Sequence, residues 1–158
     1  MADELHPLET LLRERIVVLD GAMGTMIQRR KLSEPDYRGK RFHNWKGQDL
    51  KGCLELLNLT QAKVIEEIHA EYLAAGADII ETNTFNATTI GLHDFLFQAE
   101  PKSRRKDQEF FQRVVEDVEL RALIREMNLS AAQIARRAAD RIMKETGARR
   151  FVGAQSEH

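Results

Sequence analysis

Asp20 and Glu81 each close a short apolar run that opens into small and polar residues, and this arrangement could do chemistry. Ile16-Val17-Val18-Leu19 leads into Asp20-Gly21-Ala22-Met23-Gly24-Thr25, and Asp78-Ile79-Ile80 leads into Glu81-Thr82-Asn83-Thr84. Largely β-branched runs of this length read as buried strands. The carboxyl ends of such strands are where α/β proteins collect ligands. Glu81 could receive an amino group opposite Asp20, while Gly21, Thr82 and Asn83 supply a tight turn and small hydrogen-bonding groups beside them. The same residues also suit plain structural duties, with Asp-Gly as a turn or N-cap and the Thr and Asn residues as caps for the next helix. Gly21-Ala22-Met23-Gly24 has neither dinucleotide-binding glycine spacing nor a Gly-Lys-Ser/Thr, so phosphate cradling is not indicated.

The elements that must position these residues follow from periodicity. Leu5 to Arg15 reads as an amphipathic helix, and a brief helix from Met23 runs out in Arg29-Arg30-Lys31, a solvated end that complements the helix dipole. Leu32 to Asn58 reads as a long loop pinned by Tyr37, Phe42, Trp45 and Leu50. Thr60 caps a helix whose apolar face carries Val64, Ile65, Ile68, Tyr72 and Leu73 and which stops at Gly76. The strand from Asp78 then completes a βαβ order, which implies a parallel sheet. Leu92 to Met127 is dense in charge with partial helical periodicity, and its cluster from Lys102 to Asp107 reads as a solvated face or a partner-binding site. Ser130 to Thr146 is an alanine-rich helix suited to close packing on a sheet, Gly147 stops it, and Arg150 to Ala154 reads as a third strand.

Composition narrows the function classes. The 158 residues carry 24 basic and 25 acidic side chains, a balance that offers no global field for nucleic acid or a membrane surface. Cys53 is the single cysteine, so one chain can build neither a disulfide framework nor a thiolate metal cluster. His43 and His93 lack metal-type spacing, and His69 reads as a surface or boundary residue. With no long apolar run and no basic and apolar leader, a cytoplasmic protein is expected, without nucleic-acid or membrane partners.

Three stretches together resemble a known family. Leu19 to Thr25, Gly76 to Phe85 and Ala131 to Asp140 are similar to the homocysteine-binding domain of cobalamin-dependent methionine synthase, in the homocysteine S-methyltransferase family. The segment from Phe42 to Leu59, with Trp45 and Asp49-Leu50-Lys51-Gly52, looks like the first long loop of the same domain. The similarity spans residues 10–95 and 119–152. It implies an α/β fold that is an incomplete (β/α)8 TIM barrel, comprising the first three βα units, with homocysteine at the carboxyl ends of the strands. By resemblance, Asp20 and Gly21 face the substrate's amino-acid end, and Glu81, Thr82 and Asn83 line the same mouth.

The resemblance also implies zinc, which holds the substrate sulfur as a thiolate, and cobalamin in a full-length enzyme. The family's zinc thiolates are a late cysteine and a Gly-Gly-Cys-Cys pair, and Cys53 matches none of them. No catalytic residue, metal ligand or resident cofactor is therefore expected from this chain. A complete barrel takes about 250 residues, so residues 1–158 read as one partial homocysteine-binding domain, with 96–118 as a charged helical insertion. Two readings follow: the N-terminal part of a methyltransferase, inactive alone and completed by the remainder of the barrel, or a non-catalytic binding or regulatory module that offers the insertion to a protein partner. Self-assembly into a closed barrel is a weaker third, because three strands divide poorly into eight.

Overall fold

The computed structural model describes residues 6–97 and 107–154. Local sequence explains the helix starts. Helix α1 (Pro7–Glu14) has proline in its first turn, and the His6 ring accepts the Leu8 N–H while Glu9 reaches back to the His6 N–H. Helix α2 (Met23–Arg29) follows the glycine turn, and α3 (Glu34–Arg38) is opened by a reciprocal Ser33–Asp36 cap. A 3-10 turn (Leu54–Leu56) runs into the single turn α4 (Leu57–Thr60), and α5 (Ala62–Ala74) then leads to strand β1 (Ile79–Glu81). Thr88 caps α6 (Thr89–Leu96), and Asp107 caps α7 (Gln108–Glu116). Asp117 caps the 29-residue α8 (Val118–Thr146), and β2 (Phe151–Gly153) follows.

The result is a mostly helical α/β fold with a two-stranded parallel sheet, β1 beside β2, in which Ile80 pairs with Val152. The segment read as the first strand is extended but, among the described residues, makes a single parallel bridge, Leu19 to Ile79. It is also not buried as expected: Ile16 is 87% exposed and Leu19 52%. The reason is one-sided support, since Val18 O accepts from Asp78 and Ile79 while the N–H and C=O of Val17 and Leu19 bond to none of the described residues. The third predicted strand is present as β2.

Other expectations shift with packing. The long loop contains α3, the 3-10 turn and α4, and its pinning by Tyr37 and Leu50 is as read, both being buried. Thr60 ends α4, its hydroxyl bonding to Leu56 O, so Gln61 rather than Thr60 precedes α5. Ser130 does not start a helix; it lies inside α8, where its hydroxyl bonds to Asn58 O at 2.8 Å. Gly147, at φ 72°, ends α8 as predicted.

His69 is the clearest correction: it is fully buried on α5, and neither ring nitrogen has a hydrogen-bond partner among the described residues. Its helical position beside Ile65, Ile68 and Leu73 carries it inward with them. Burial pushes its pKa down to about 4, keeping the ring neutral.

The described residues form two apolar clusters. The larger joins α2, α4, α5, α6, α7 and α8 through residues such as Ile27, Leu57, Ile65, Leu92, Val114 and Met127. Helix α7, within the predicted insertion, contributes Phe110, whose ring meets His93 and Phe97 edge-on. The basic cluster of Lys102 to Lys106 lies outside the described residues. The smaller cluster sets Ala135, Ala138 and Ala139 of α8 against Ile80, the close helix-on-sheet approach that the alanines predicted. At the opposite end of the sheet from Glu81, Asp78 takes a two-pronged bond from Arg15 (2.6 and 2.7 Å) and accepts the Val18 N–H at 3.0 Å. These bonds, with Arg150 at 3.7 Å, fasten the extended segment, β1 and β2 through one carboxylate.

Candidate functional site

A cavity of about 520 Å3 opens at the carboxyl ends of the extended segment and β1. Parallel pairing brings the two strand-end motifs side by side, because Asp20 N donates to Ile79 O at 2.9 Å. Asp20, Gly21, Glu81, Thr82 and Asn83 all line this cavity, so the structure gathers the five residues singled out from sequence.

Their individual settings differ. Asp20 Oδ2 accepts the Glu81 N–H at 3.0 Å, while Oδ1 is shielded and without a partner among the described residues. Burial, opposed in part by the Glu81 backbone bond and reinforced by the Glu81 charge, raises the Asp20 pKa to about 6. At Gly21 a Cβ would meet the Tyr72 hydroxyl at 3.2 Å, so a side chain here would press on α5. Thr82 is buried; its N–H donates to Gly153 O at 3.0 Å and its hydroxyl pairs with Thr84 at 2.8 Å. Asn83 is buried too, and its amide nitrogen is directed into the scaffold, donating to Leu54 O at 2.9 Å and Asn58 Oδ1 at 3.2 Å.

Sequence reasoning missed the contribution of the long loop. Gly52, Leu54 and Glu55 complete the cavity wall, and Glu55 is 4% exposed. A signal was present: Glu55 and Asn58 interrupt the apolar run Leu54-Glu55-Leu56-Leu57-Asn58-Leu59, and polar groups in such a run are buried with partners or not tolerated. Among the described residues, the carboxylates of Asp20, Glu55 and Glu81 line the cavity and no Lys, Arg or His does. The wall therefore presents acceptors and negative charge, an environment suited to an ammonium group.

The described residues do not fit a zinc site. They contain no group of three His, Cys, Asp or Glu side chains able to hold a metal ion. Cys53 lies fully buried in the core, where burial and the nearby Glu55 charge push its thiol pKa up to about 12, the reverse of what a thiolate ligand needs. No helix among the described residues is long and apolar enough to cross a membrane.

A family model described as homocysteine S-methyltransferase matches residues 17–156. Among solved structures, the homocysteine methyltransferase MmuM from Escherichia coli in its oxidized form has a TM-score of 0.61 at 20% identity, over 96% of this chain and 41% of that one. Its metallated form gives 0.59 at 20% identity, over 94% and 40%. The chain thus spans about two fifths of the length of the enzyme it resembles in fold.

Proposed function

The chain belongs to the homocysteine S-methyltransferase family, and on that premise we propose that its cavity receives the amino-acid end of homocysteine, as part of a methionine synthase-like site that transfers a methyl group to the substrate sulfur. The observation that carries this reading is the convergence of Asp20 and Glu81 on one cavity whose lining, among the described residues, has no basic side chain. In it the ammonium group of the substrate lies against the two carboxylates, and the Thr82–Thr84 hydroxyl pair adds polar surface beside them. The fold is the opening portion of a (β/α)8 barrel, which the parallel β1–β2 pair and the outer edge at Val17 and Leu19, bonded to none of the described residues, support.

Thiolate activation is assigned to the remainder of the barrel rather than to residues 1–158, since Cys53, the single cysteine, is enclosed in the core. The chain by itself accordingly binds substrate without turning it over, and the remainder of a barrel is its partner. Calorimetry with L-homocysteine and with 4-mercaptobutyrate, which has the thiol and carboxylate but no amino group, tests the proposal. Saturable binding of the amino acid, weakened at least about tenfold for the des-amino analogue, is expected. Equal binding of the two, or none of either, contradicts it.

A further inference from the structure

The wall of the cavity that follows β1 is held from behind by the segment from Leu54 to Asn58. Asn58 Nδ2 donates to Asn83 O at 2.8 Å, and Asn83 Nδ2 returns bonds to Leu54 O and Asn58 Oδ1. Glu55 adds the charged member of this set: its Oε1 accepts the backbone N–H of Asn86 at 2.9 Å. Asn58 is in turn fastened to α8 by the Ser130 hydroxyl. The loop from Asn83 to Asn86 is therefore bonded at both ends to one rigid turn, and between those ends stands Phe85, half exposed at the cavity.

Glu55 is a costly residue to keep there. Its carboxylate is enclosed beside an already acidic cavity, and an apolar residue of the same size would pack in the run of leucines around it. What a leucine cannot do is accept the Asn86 N–H, and without that acceptor the loop loses its bond to the turn behind it. The geometry points to Glu55 as a positioning residue for this site: through Asn86 it fixes the loop that carries Phe85 and closes the wall beside Glu81. The inference rests on the homocysteine reading for its ligand, and on the hydrogen bond rather than the charge for its action.

The bond and the charge separate experimentally. Amide hydrogen exchange at Asn86 and homocysteine affinity are measured for the full chain and for Glu55→Gln and Glu55→Ala. Glu55→Gln keeps an acceptor but removes a charge from the cavity wall, so Asn86 exchange stays within about threefold of the original while affinity stays above that of Glu55→Ala. Glu55→Ala exchanges Asn86 at least about tenfold faster and binds at least about tenfold more weakly, while amides in the middle of α8 are unmoved. Should Glu55→Ala not fold, Glu55→Met, of similar volume and without a strong acceptor, carries the same comparison. Unchanged Asn86 exchange in the acceptor-free variant, unchanged affinity there while the original chain binds, or a Glu55→Gln that matches that variant in either, overturns the assignment. Absence of homocysteine binding by the original chain overturns the proposed function instead, and is told apart because it appears before any substitution is made.

Discussion

The Glu81 backbone N–H donates to Asp20 Oδ2 at 3.0 Å across two parallel segments that are 61 residues apart in sequence. This bond makes the two carboxylates neighbours, and burial, working against the bond itself, raises the Asp20 pKa to about 6. Asp20→Asn keeps an acceptor for Glu81 and removes the charge. Homocysteine affinity at pH 7.5 is expected to fall by about tenfold or more, since the lost interaction is a charge-assisted bond to an ammonium group. Titration calorimetry reads this directly, with folding unchanged by circular dichroism.

The same carboxyl sets the pH dependence of binding. Asp20 must be ionised to meet an ammonium group, so affinity rises as pH increases through about 6 and levels off above it. In Asp20→Asn this rise disappears. The linkage to folding has the opposite sense: with the folded value above the unfolded 3.8, Asp20 favours the native state fully below about pH 4, and that contribution is lost as pH rises through about 6.

His69 acts on stability in the same window with the other sign. Its folded value of about 4 lies below the ordinary 6.5, so the unfolded chain takes up the proton first as pH falls. Stability contributed by the neutral ring is intact above about pH 6.5 and declines toward pH 4, by at most about 3 kcal/mol. Urea unfolding at pH 4.5 and 7.0 measures the decline. His69→Phe should shrink it, because the replacement cannot be protonated.

Asp78 clamps the far end of the sheet. Arg15 and the Val18 N–H hold its pKa down to about 2 despite burial. Asp78→Ala leaves the Val18 donor and two arginines without their acceptor and is expected to cost about 3 kcal/mol or more. Arg15→Ala, which removes a half-exposed and solvent-screened partner, should cost clearly less than Asp78→Ala. Because the folded value is depressed, the clamp works above about pH 4 and fails as pH falls toward 2. Chemical denaturation of the two variants gives both differences.

Local chemistry made much of this legible in the sequence. Asp20 and Glu81 were found because a strand announces its end by the change from β-branched to small polar residues, and parallel order then places two such ends together. Gly147 and the alanines of α8 were readable for the same kind of reason: each has a single steric meaning. His69, Ser130 and Glu55 were not, because their roles come from which neighbouring element covers them. His69 shares a helix face with Ile65 and Leu73, Ser130 finds Asn58 72 residues away, and Glu55 finds Asn86 31 residues away. The first strand was read as buried from its apolar run alone, which carries no information about whether a neighbour lies on its outer edge.

The measurement that tests the central claim most directly is an amide-resolved nuclear magnetic resonance titration of the full chain with L-homocysteine. Saturable shifts concentrated at Asp20, Gly21, Glu81, Thr82 and Asn86, with the middle of α8 still, are the predicted result. Shifts that are absent, that never saturate, or that gather away from the strand ends would contradict the account.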